Sequence, residues 1–100
     1  MDSEEILYPP VTWPIEVRLK TPIEFGSQRI DTLTFRRGRM ADMKGIKLAE
    51  ISTESVMLAA SRLSGQPLAV IERIDEDDAG RVNAIALRFL QKCLQIANEP

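Results

Sequence analysis

The stretch Ile15-Glu16-Val17-Arg18-Leu19-Lys20-Thr21-Pro22-Ile23-Glu24-Phe25 decides the fold. Ile15, Val17, Leu19, Thr21, Ile23 and Phe25 share one parity, and Glu16, Arg18, Lys20, Pro22 and Glu24 share the other. Side chains alternate across a strand, so this pattern reads as a half-buried β-strand. Pro22 has no backbone donor, which places the strand at a sheet edge. Gly26-Ser27 follows, with glycine first, as a two-residue type II′ turn requires. The return strand runs from about Gln28 to Arg36 and carries Ile30, Leu33 and Phe35. The step from Ile30 to Leu33 is three, which breaks the alternation. A two-residue turn pairs Ile23 with Ile30, and an unbroken register would set Leu19 against Thr34 with Phe35 on the wrong face. One extra residue near Asp31 or Thr32 repairs the phase and sets Leu19 opposite Phe35, so a β-bulge is expected there.

Downstream of the hairpin the periodicity changes to helical. Residues 40–50 hold Met40, Met43, Ile46 and Leu48, with Gly45 weakening the helix. Ser52 or Thr53 can cap a helix in which Val56, Ala59, Ala60 and Leu63 repeat at helical spacing. Gly65 is placed to end it. Pro67 opens a short helix with Leu68, Ile71 and Ile74. Asp75 can cap the last helix, and Glu76, Asp77 and Asp78 put negative charge at its positive end. That helix should run to about Asn98.

The last helix is apolar over an unusual width. Val82, Ile85, Ala86, Phe89, Cys93, Ile96 and Ala97 form one stripe, and Leu87, Leu90 and Leu94 form a second beside it. At ~100° per residue the two cover about 200°. A surface helix needs only a face of ~100°. Either the hairpin and the other helices cover one stripe each, or Leu87, Leu90 and Leu94 meet another chain.

The expected architecture is α+β: an N-terminal bulged two-stranded antiparallel hairpin packed on three to four helices. Residues 1–14 read as a flexible acidic, proline-rich leader that includes Tyr8 and Trp13, and residues 15–98 as a single domain.

Composition narrows the function. The chain has 100 residues, 44% hydrophobic and 28% charged, with five aromatics and a net charge of -2. One domain with one modest core fits that length. The acidic start and the absence of long apolar runs argue against a secretory signal or a membrane span, so a cytosolic location is expected. There is no histidine, the commonest general base and metal ligand. The five glycines make no phosphate loop, and the acidic run Glu72 to Asp78 lacks the ligand spacing of a calcium loop. Cys93 is the single cysteine and reads as a small buried hydrophobe. No catalytic residue, metal site or cofactor is expected; the chain reads as a binding protein and not an enzyme. Arg36, Arg37 and Arg39 around Gly38 are the one dense basic spot. They support an alternative reading as a small nucleic-acid-binding regulator, against which the acidic total weighs. A third reading is an enzyme subunit with no site of its own.

Val17-Arg18-Leu19 with Pro22, then Gly26, then Ile30 to Arg36, resembles the opening of the tail assembly chaperones of contractile-tailed bacteriophages, especially the Mu-like group. Arg62-Leu63-Ser64-Gly65-Gln66-Pro67 is similar to the helix end and proline turn of that family. Val70 to Ile74, Asp75 to Asp78, and Val82 to Ile96 follow its remaining order. The similarity spans roughly residues 15–97; the Tyr-Pro-Pro leader and Arg36-Arg37-Gly38-Arg39 depart from it. It implies a non-enzymatic protein of the host bacterial cytoplasm, absent from the mature virion. Its client would be the long helical tape measure protein, kept soluble until the tail tube forms. Tail tube subunits and a second copy of the chain are further candidate partners, and many members also exist in a longer, frameshifted form. The expected contact residues are Leu87, Leu90 and Leu94 on the last helix, and Thr21, Ile23 and Phe25 on the hairpin edge. The methionines Met40, Met43 and Met57 could adapt to imperfect client repeats, with core packing expected first of Met57.

Overall fold

The computed structural model describes residues 12–97. The leader through Val11, with Tyr8, lies outside the described residues. β1 (Ile15–Phe25) and β2 (Gln28–Phe35) form a two-stranded antiparallel sheet. Phe25 pairs with Gln28, so Gly26-Ser27 is the two-residue turn that its sequence specifies. Gly26 has φ +63° while Ser27 is not in the positive region, the combination of a type II′ turn.

The hairpin is irregular opposite Asp31, as expected, but the extra residues lie on β1 and not on β2. Ile15 pairs with Phe35, Val17 with Leu33 and Arg18 with Thr32; pairing resumes at Ile23 with Ile30. Five steps on β1 therefore match two on β2, and Phe35 faces Ile15 instead of Leu19. The reason lies in the backbone of Leu19 to Pro22. Pro22 has no N–H to give, and the N–H groups of Lys20 and Thr21 turn away to a carboxylate on the last helix. An odd excess on β1 brings Ile30 and Leu33, three apart, onto the same core.

Three α-helices follow. An isolated 3-10 turn at Met40–Met43 comes first, and Gly45 at φ +78° stops any longer helix there. α1 (Thr53–Ser64) starts at Ser52, whose hydroxyl accepts from the N–H of Ser55, and ends at Gly65 in the left-handed region. α2 (Leu68–Ile71) is one turn opened by Pro67. α3 (Glu76–Ala97) begins after Asp75, whose carboxylate accepts from the N–H of Asp77. The sheet and helices together give the α+β arrangement expected.

The core forms where the hairpin, α1 and α3 meet. Phe35, Leu33, Leu63, Leu90, Val70 and Val82 are its largest fully buried apolar side chains. Each such side chain contributes roughly 1.5–3 kcal/mol by leaving water. Along α3 the buried residues are Asp78, Val82, Ala86 and Leu90, spaced by four. Four residues rotate the helix by about 40°, so these side chains span one arc of about 120°. β1 packs on α3 and α1 packs on α3, which sandwiches that arc. Trp13 packs on the same core, with the Arg88 guanidinium 5.7 Å from its ring centroid.

Candidate functional site

An apolar groove of about 260 Å³ opens where the start of α1, the α2 segment and the first half of α3 come together. Val56 and Met57 of α1 form one wall. Ile71 and Ile74 form the floor beside α2, and Val82 and Leu87 of α3 form the other wall. The polar members are Thr53, Glu72 and Asn83. The geometry follows from local sequence. Gly65 and Pro67 end α1 and start α2 within three residues, which folds Ile71 back beneath α1. Asp75 then starts α3 close by, leaving a cleft between two helix N-terminal ends. Met57, Ile74 and Leu87 are half-buried, so their side chains both pack on the core and reach the opening. No charged pair crosses this groove among the described residues. Its lining is mainly aliphatic, with Thr53, Glu72 and Asn83 as the polar exceptions.

The outer edge of β1 is closed. Asp78 is fully buried, and its Oδ1 accepts from Lys20 N–H at 2.9 Å while Oδ2 accepts from Thr21 N–H at 3.1 Å. Arg81 Nη2 donates to Asp78 Oδ1 at 2.6 Å and to the carbonyl oxygen of Arg18 at 2.9 Å. Arg73 donates to the carbonyl of Glu24 at 2.9 Å and lies 5.3 Å from the Phe25 ring centroid. The backbone donation by Lys20, followed by that of Thr21 and the Arg81 pair, holds the Asp78 carboxyl below the usual carboxylate range despite burial. Main-chain groups that strand addition would need are thus already in use.

The basic segment is also partly consumed. Arg36 clamps Asp42 with both guanidinium nitrogens, at 2.8 and 2.7 Å, and donates to the carbonyls of Arg37 and Arg62. Arg39 N–H donates to Asp42 at 2.7 Å, and Arg62 donates to the carbonyls of Asp42 and Lys44. The Arg36 pair, helped by the Arg39 N–H, pulls the Asp42 carboxyl below its ordinary range. Arg36 therefore holds a loop in place, and Arg39 joins the clamp through its backbone N–H. That weakens the nucleic-acid alternative. Gly38 lies so close to α3 that a Cβ there would come within 2.3 Å of the Phe89 ring.

Of the six residues expected from sequence, the structure brings Leu87 to the groove. Leu94, half-buried, continues the same stripe seven residues on. Leu90 is a correction: it is fully buried, because its rotation on α3 aligns it with Ala86 beneath α1. Ile23 is likewise core, and Phe25 is half-buried under Arg73. Thr21 is exposed but its N–H is held by Asp78. Sequence reading missed Val56, Ile71, Ile74, Glu72 and Asn83, and placed Met57 in the core before the surface. Their helical periodicity was visible, but nothing local says that three segments will converge. Asp78 was read as one more helix-start charge, although its i+4 relation to Val82 and i+8 relation to Ala86 put it on the buried arc. Burial of the Cys93 thiol, with some help from Asp42, raises its pKa, opposite to the shift a reactive thiol needs.

Among the described residues no helix is long and apolar enough to cross a membrane. A family model described as phage tail assembly chaperone proteins, E, or 41 or 14, matches residues 16–91, about three quarters of the chain. No curated protein and no solved structure matches the chain significantly.

Proposed function

The chain belongs to the phage tail assembly chaperone family, and from that premise we propose that it binds the tape measure protein and keeps it soluble until the tail tube forms. The observation that carries this reading is the apolar groove between α1, α2 and α3, with Met57 and Leu87 on its walls. A client that is long, helical and apolar on one side aggregates when unaccompanied. An apolar groove can take one such helix face at a time, through side chains at i, i+3, i+4 and i+7. Met57 suits this task because its flexible thioether adapts to imperfect repeats. Leu94 extends the apolar stripe beyond the groove, so about two turns of α3 add to the contact.

The chaperone acts in the host bacterial cytoplasm, before the tube closes around the client, and is absent from the finished virion. Reversible binding is all that this requires. Growing tube subunits release the chaperone by covering the same apolar face of the client. The Mu-like group remains the subgroup that the sequence most resembles. The test is co-expression of the tape measure protein with the wild-type chain or with the groove variant Leu87→Asp. Wild type should hold the client in the soluble fraction and co-elute with it, and Leu87→Asp should lose both while melting like a folded protein. Equal solubility with and without the wild-type chain would refute the proposal.

A further inference from the structure

The groove is apolar, and its one charged lining residue is acidic. Glu72 lines it, and no basic residue does. Glu76, the first residue of α3, lies on the same side of that helix as Asn83 and Leu87, since seven residues return the helix to within about 20°. Glu54 sits in the first turn of α1, next to Thr53 of the groove wall. All three are exposed, and none has an ion pair among the described residues.

Two of the three have an ordinary explanation. Glu54 and Glu76 stand at helix N-terminal ends, where backbone dipoles favour negative charge. Glu72 has none. It is the C-cap residue of α2, the end at which the dipoles favour a cation. The neighbouring Arg73 turns away to Glu24 and Phe25 and does not neutralise it. The basic residues Arg36, Arg37 and Arg39 gather at the other end of α1, where Arg36 meets Arg62 and Leu63. The groove end is thus left with uncompensated negative charge around an apolar cleft.

We propose that the segment seated in this groove is an amphipathic helix with Lys or Arg beside its apolar row, and that Glu72 selects it. The inference rests on the groove being the client site, and it adds the chemistry of the client. The apolar row fills the cleft between Met57 and Leu87. The flanking cation reaches the Glu72 carboxylate at the rim, with Glu76 and Glu54 raising the local negative potential. Rim charges of this kind steer association and fix register, while the apolar contact holds the complex. A helix flanked by acidic residues would meet like charge at the same position and be rejected.

The test uses two synthetic helix-forming peptides with the same Leu/Ala row, one flanked by Lys and the other by Glu. Binding is measured by titration calorimetry against the wild-type chain, Glu72→Lys and Leu87→Asp. The Lys-flanked peptide should bind wild type about tenfold tighter than the Glu-flanked peptide at low salt, one close charge contact being of that order. Added salt should narrow the gap. Glu72→Lys should invert the preference, and Leu87→Asp should abolish binding of both. Equal binding of the two peptides to wild type, or a preference unchanged by Glu72→Lys, overturns the inference while leaving the groove as the client site. Failure of both peptides to bind wild type overturns the groove itself, and the inference with it.

Discussion

Truncating Leu90 should damage the fold, whereas truncating Leu87 should damage mainly binding. Both are leucines on α3, three residues apart, and sequence pattern places them on one stripe. Leu90 is 0% exposed and packed between α1 and the hairpin. Leu→Ala at such a site costs about 2–5 kcal/mol, combining lost transfer energy with the cavity left behind. A domain of this length has a total stability of roughly 5–15 kcal/mol. Each kcal/mol lowers Tm by about 4–8 °C, so a mid-range loss of ~3 kcal/mol means a fall of about 12–24 °C. Leu87 is half-buried on the groove wall, and the same truncation there should cost about 1 kcal/mol, since partly exposed methylenes return less on burial. Thermal melts followed by circular dichroism at 222 nm separate the two. A Leu90→Ala variant that melts within about 3 °C of wild type would refute the packing of α1 over this side of α3.

Three other outcomes follow from particular contacts. Asp42 and Asp78 both have folded carboxyl groups held below the ordinary range, so their stabilisation is complete above about pH 4. It is lost as pH falls through the depressed folded values, so urea midpoints should drop as the pH is lowered below about 4; a flat profile there would contradict the two clamps. Asp78→Asn should expose the Lys20 and Thr21 amides to faster hydrogen exchange than other β1 amides, with unchanged rates refuting the role of Asp78 in holding the bulge. Gly38→Ala pushes a methyl into the Phe89 ring and should cost about 1–3 kcal/mol by overpacking, read as a shifted urea midpoint. Gly38→Ala in a Phe89→Leu background should cost less, because the obstructing ring is gone.

Much of the fold is legible in short-range pattern because short-range physics decides it. The alternation of Ile15 to Phe25, the Gly26-Ser27 turn, the Ser52 and Asp75 caps and the Gly65 stop each depend on residues within a few positions. The bulge shows where that ends. Its existence followed from the odd step between Ile30 and Leu33, but its place on β1 depends on Asp78, 58 residues from Lys20. No local signal links the two. The same holds for the groove. Leu87 could be named from its stripe, but Met57, Ile74 and Glu72 become neighbours only once α1, α2 and α3 have packed. The width of the apolar face on α3 is legible in the sequence. The division of that face was not legible, because Leu90 and Leu87 differ only by a helix rotation of about 60° relative to α1.

The central claim is that the groove beside Leu87 holds the tape measure protein. Its most direct test is a photo-cross-linking residue placed at position 87, and separately at Thr34 on the exposed face of β2, in chain co-expressed with that client. The account predicts cross-links from position 87 to one or more apolar helical segments of the tape measure protein, and none from position 34. Cross-linking from position 34 with none from position 87, or from neither, would contradict it.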